Sequence, residues 1–67
     1  MTYTEFIINA TQYFGAHRRE QRFGQAVYNC LATARPDIAS QIVDTPLDPF
    51  HKNSVSDDVW QFIKEKW

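Results

Sequence analysis

The chain has 67 residues, a single cysteine, a formal charge of −1 and an aromatic content of 15%. That length holds one domain and excludes a second, and one cysteine excludes an internal disulfide, so a reducing, cytoplasmic setting is expected. The balanced charge argues against a general nucleic-acid binder, and there is neither a run of about eighteen apolar residues nor a basic-then-apolar leader, so no membrane-spanning or secreted chain is expected.

Thr2-Tyr3-Thr4-Glu5 fits a capping box, in which the Thr2 hydroxyl accepts a backbone N–H three residues on and Glu5 reaches back to the Thr2 N–H. A helix is predicted from there. Tyr3, Phe6, Ile7, Ala10, Tyr13 and Phe14 recur at helical steps on one face, and Gly15 suits a left-handed closing position. Ala16 to Arg22 lacks apolar periodicity. Phe23, Ala26, Val27, Cys30, Leu31 and Ala34 then predict a second helix from about Glu20 to Ala34, with Cys30 as a small core residue. Gly24 sits inside it at a propensity cost of about 1 kcal/mol relative to Ala, and is read as a place for another helix to approach closely. Pro36 biases Arg35 away from helical angles and starts a short third helix, Pro36 to Val43, with Ile38, Ala39, Ile42 and Val43 as its apolar stripe.

The following stretch, VDTPLDPFHKNS, is too constrained by Pro46 and Pro49 for a flexible linker, and Leu47 and Phe50 are read as pegs that pin it to the helices. Ser54 or Ser56 caps a last helix. Asp57 and Asp58 lie in its first turn and Lys64 and Lys66 at its other end, each with the sign the helix dipole favours. Val59, Trp60, Ile63 and Trp67 share a face, with Phe62 on the flank. The expected fold is all-α: a single small domain of four short helices joined by Pro-containing turns.

Chemistry-bearing constellations are sparse. His17 and His51 are the only imidazoles and Cys30 the only thiol, with no pair at metal-ligand spacing and no Gly-rich phosphate loop, so no metal, cofactor or enzymatic activity is predicted. Asp57 and Asp58 diverge by about 100° around a helix, which suits helix-end electrostatics better than paired-carboxylate catalysis. The charge is unevenly spread: residues 1–35 hold four Arg against two Glu, and residues 36–67 three Lys against five Asp and one Glu. The most electropositive stretch is His17, Arg18, Arg19 and Arg22. Its plain reading is a solvated turn; its sharper one is a docking patch for an acidic protein surface or a phosphate backbone. The second and third helices have the outline of a helix-turn-helix, but the third would be about two turns long and would point Asp37, Ser40, Gln41 and Asp44 outward, setting carboxylates against phosphates. Trp60 is expected in the core. Trp67 either clamps over the first helix or serves a partner, and Tyr28 or Trp67 offers a surface for a homodimer.

Arg22-Phe23-Gly24-Gln25-Ala26-Val27-Tyr28-Asn29, then Arg35-Pro36-Asp37-Ile38-Ala39, Thr45-Pro46-Leu47-Asp48-Pro49-Phe50 and the closing Trp-Gln-Phe-Ile-Lys-Glu-Lys-Trp resemble a family of short uncharacterised proteins carried by phages, prophages and bacterial genomes. The likeness covers residues 22–67, leaves Thr2 to Gln21 outside, and departs from the pattern at Pro46. It implies a mobile-element origin and no particular activity. A shorter likeness, Asp58 to Lys64, is to the terminal segment of the haemolysin-expression modulators, small helical partners of nucleoid proteins. The expected function is a protein-interaction module acting on a host factor or on itself, with Arg18, Arg19, Arg22, Tyr28 and Trp67 as partner-binding residues. The alternative is a nucleic-acid-associated modulator using the same arginines.

Overall fold

The computed structural model describes residues 1–67 as four helices with no strand. They are α1 (Tyr3–His17), α2 (Phe23–Ala34), α3 (Pro36–Ile42) and α4 (Asp57–Lys66), and the expected all-α architecture is the one observed. No helix is long and apolar enough to cross a membrane.

α1 begins as its sequence dictates. The Glu5 N–H donates to the Thr2 hydroxyl at 3.1 Å and the Thr2 N–H to the Glu5 carboxylate at 2.8 Å, closing the capping box. The Thr2 backbone N–H first, and then the Thr2 side chain, hold the Glu5 carboxyl below the ordinary carboxylate range. The helix does not close at Gly15: no glycine has positive φ, and α1 runs on to His17, whose carbonyl accepts the N–H groups of both Glu20 and Gln21. That turn keeps residues 18–22 out of helix, so α2 starts at Phe23, three residues after the expected Glu20.

α2 is the central element, with α1 against one side and α3 against another. α3 follows after Arg35 alone, with Pro36 in its first turn. α4 starts after Ser56, in extended conformation and without a side-chain cap bond; Asp57 and Asp58 in the first turn and Lys64 and Lys66 in the last match the dipole. The core draws on all four helices: Phe6 and Ala10 of α1, Val27 and Leu31 of α2, Ile38, Ala39 and Ile42 of α3, and Val59 and Ile63 of α4. Trp60 packs half-buried against this cluster instead of within it. So does Cys30, at the edge of the core, where burial pushes its thiol pKa up.

The α3–α4 connection is built, residue by residue, from local hydrogen bonds. Val43 leaves the helix exposed, and Asp44 takes φ 58°, the left-handed region that Asp tolerates better than most residues. The Asp48 carboxylate accepts the N–H groups of Asp44 and Phe50, both at 2.9 Å, and the Thr45 hydroxyl donates to the Ile42 carbonyl while accepting the Leu47 N–H. Leu47 packs on the core, as a peg should. The second peg is Pro49, which is fully buried, and Phe50 is a half-buried ring set edge-on to Tyr28. The close approach at Gly24 is made by this loop and not by a helix: its N–H donates to the Lys52 carbonyl at 2.9 Å, and a Cβ there would meet the Pro49 and Lys52 carbonyl oxygens.

Candidate functional site

The α1–α2 turn decides where the basic residues go. Because His17 terminates α1 and Phe23 begins α2, Arg18, Arg19 and Arg22 stand on five intervening residues that curve around one open concavity of about 500 Å³. All three arginines are exposed. Aromatic side chains lie beneath: Phe14 of α1 and Phe23 of α2 also line the concavity, meeting edge to face at 5.2 Å, and Phe23 continues to Trp60 at 6.3 Å. Gln25 and Asn53 complete the polar lining, the latter from the α3–α4 loop that Gly24 admits.

The electrostatics of the three arginines differ from those of the fourth. Arg35 forks onto Asp37 at 2.9 and 3.0 Å, and each group shifts the other toward its charged form, Arg35 upward and Asp37 downward. Arg18, Arg19 and Arg22 have no such partner, since the ion pairs of the chain are Arg35–Asp37 and His17–Glu20. Glu20, the one carboxylate lining the concavity, lies 3.4 Å from His17 Nδ1. Gln21 adds an unspent acceptor: its Nε2 donates to the Tyr13 hydroxyl at 3.3 Å, while its buried Oε1 meets no donor. The result is a rim of three arginines against one carboxylate over an aromatic floor, a net cationic composition that receives carboxylates or phosphates.

The two remaining sequence candidates lie elsewhere. Tyr28 packs edge to face with Phe50, and both line a smaller cavity beside the α3–α4 loop. Trp67 lies over α1: its ring stacks on Phe6 at 5.1 Å and meets Tyr3 edge-on at 6.3 Å, and its Nε1 donates to the Met1 carbonyl at 3.0 Å. Both are half-buried and neither is freely exposed. Cys30 lines a groove of about 470 Å³ between α1 and α2, and His51 lines the cavity of Tyr28, so the thiol and that imidazole face different spaces. No three His, Cys, Asp or Glu side chains gather as a metal-ligating group.

The helix-turn-helix outline also changes on inspection. α3 spans seven residues, and the side chains it would offer to a groove are folded back on it, with Ser40 Oγ and Gln41 Nε2 both donating to the Asp37 carbonyl.

Sequence reasoning passed over Arg35. Its guanidinium reaches 32 residues along the chain to the Trp67 carbonyl at 2.7 Å and lies 5.2 Å from the centroid of that residue's indole. The chain matches no protein-family model, no curated protein and no solved structure.

Proposed function

We propose that this protein is a small interaction module that captures an acidic segment of a partner protein in the concavity of Arg18, Arg19 and Arg22. The observation that carries this reading is three arginines in no intramolecular ion pair around one aromatic-floored hollow whose single carboxylate is Glu20. Three unpaired guanidinium groups within one turn raise the local potential, and their forks suit carboxylates bidentately. Phe14 and Phe23 beneath them add apolar contact area of the kind that anchors an interface. The likeness of residues 22–67 to short phage and prophage proteins supports a mobile-element origin, and the single cysteine a cytoplasmic setting. No catalytic step is assigned to the protein: the burial-raised Cys30 thiol and His51 line separate cavities.

A protein segment is favoured over a nucleic acid because the basic residues form a spot and not a track. Phosphate binding gains strength from many contacts along a backbone, whereas outside this trio the chain carries four Lys or Arg against eight Asp or Glu, and the whole chain has a net charge of −1.

Fluorescence anisotropy with a labelled Asp/Glu-rich peptide containing one aromatic residue, run beside a DNA duplex and a single strand, tests the reading. The peptide should bind the wild type, and Arg18→Glu/Arg19→Glu/Arg22→Glu should abolish binding while leaving the helical circular dichroism unchanged. DNA binding stronger than peptide binding, with a steep inverse dependence on salt, would replace this function with nucleic-acid association. Peptide binding that survives the triple charge reversal would remove the site.

A further inference from the structure

A second recognition site lies apart from the arginines. The cavity beside the α3–α4 loop, of about 220 Å³, shares no lining residue with the basic concavity. Tyr28 and Phe50 form two of its walls, their rings at 83° with centroids 5.8 Å apart. Asp44 and Asp48 also line it, no lysine or arginine does, and the one basic side chain in the lining is His51, set edge-on to Phe50 at 5.0 Å. Asp48 is locked in place by the two backbone N–H groups it accepts. The Asp44 carboxylate is in neither of the chain's ion pairs. Val43, 41% exposed, supplies an apolar edge.

We propose that this notch binds an alkylammonium group, the chemical class of a lysine side chain and its methylated forms. Two aromatic rings in edge-to-face contact at right angles form a corner, and a cation seated in it meets ring π surface, which attracts it through the quadrupole. Two carboxylates provide the counter-charge, and Val43 contacts the aliphatic stem. The same carboxylates repel an anion and leave a neutral guest without a partner for their charge. The volume is below the roughly 300–1,000 Å³ of a small-molecule or cofactor site, and suits one side chain.

The test is an NMR titration of the full chain with n-butylammonium, with its N-trimethyl counterpart and with uncharged 1-pentanol. Both cations should give saturable shifts at Tyr28, Asp44 and Phe50, with millimolar affinity, and the alcohol should not. The tighter of the two cations identifies an unmodified or a methylated lysine as the source. Asp44→Asn keeps the left-handed backbone, which Asn tolerates, and Phe50→Leu keeps apolar bulk; each should weaken binding about two- to fivefold. Pentanol shifts equal to those of the cations would reduce the notch to an apolar dent and overturn the proposal. So would cation shifts confined to other residues, or full affinity in a folded Asp44→Asn variant.

Discussion

At the residue scale the two glycines make opposite demands. Both lie inside helices at negative φ, so neither is needed for a left-handed turn. A Cβ at Gly15 meets nothing within 4 Å, whereas one at Gly24 would stand 2.6 Å from the Lys52 carbonyl oxygen and closer still to that of Pro49. Both obstacles are backbone and cannot rotate away. Gly15→Ala should raise stability by about 0.5–1 kcal/mol through helix propensity. Gly24→Ala gains the same propensity but forces the loop off α2, and should lower stability by about 1–3 kcal/mol net. Urea unfolding of the two variants checks this, with midpoints moving in opposite directions. Phe50→Ala is expected to cost about 1 kcal/mol, well short of the roughly 3–5 of a fully buried ring, because Pro49 and not Phe50 fills the interior. Thermal melts of the variant measure it.

At the element scale, the helix ends separate what was legible in the sequence from what was not. The capping box, the apolar stripes and the charges at the ends of α4 are local patterns, and they placed α1, α3 and α4 within a residue or two. The start of α2 was misplaced because the turn at the His17 carbonyl carries no apolar signal, and because the Gly24 N–H in its first turn is satisfied by Lys52, far along the chain. Gly15 was misread for a related reason, since glycine permits a left-handed close but does not require one, and the actual stop is made by the His17 carbonyl. The arginine trio was visible as composition; that it curves around a hollow floored by Phe14 and Phe23 depends on how α1 and α2 pack. Arg35 was read only as the residue before Pro36, and its clasp was not legible because its partners at Lys66 and Trp67 are remote in sequence. The caps themselves differ in strength. Thr2 caps through its side chain and Ser56 does not, so Thr2→Ala should cost about 1 kcal/mol and Ser56→Ala only a few tenths, as guanidinium unfolding of each variant would read.

At the scale of the whole molecule, the chain closes on itself. Its radius of gyration is 10.7 Å, against about 10.9 Å expected for a compact domain of this length. Closure joins the two ends of the sequence. Trp67 covers Phe6 and Tyr3, its Nε1 bonds to the Met1 carbonyl, and Arg35 holds the Lys66 and Trp67 carbonyls while paired to Asp37. The clasp makes the fold sensitive to acid in a way that can be separated from its other carboxylates. Asp37 is held below its ordinary value of 3.8 by the Arg35 fork, and Glu5 below 4.5 by the Thr2 cap. The unfolded chain therefore takes up these two protons at higher pH than the folded one does. Where the unfolded state binds more protons, stability rises with pH. The contribution of both groups is complete above their ordinary values and is lost as pH falls through the lowered folded ones. Melting temperatures of the wild type and of Glu5→Gln/Asp37→Asn, compared at neutral pH and at about pH 3, should show a smaller acid-induced drop in the double variant. Equal drops would mean that neither the α1 cap nor the Arg35 clasp is coupled to folding. Since Arg35 is the one arginine bound within the fold, its loss should weaken closure and leave peptide capture by Arg18, Arg19 and Arg22 intact.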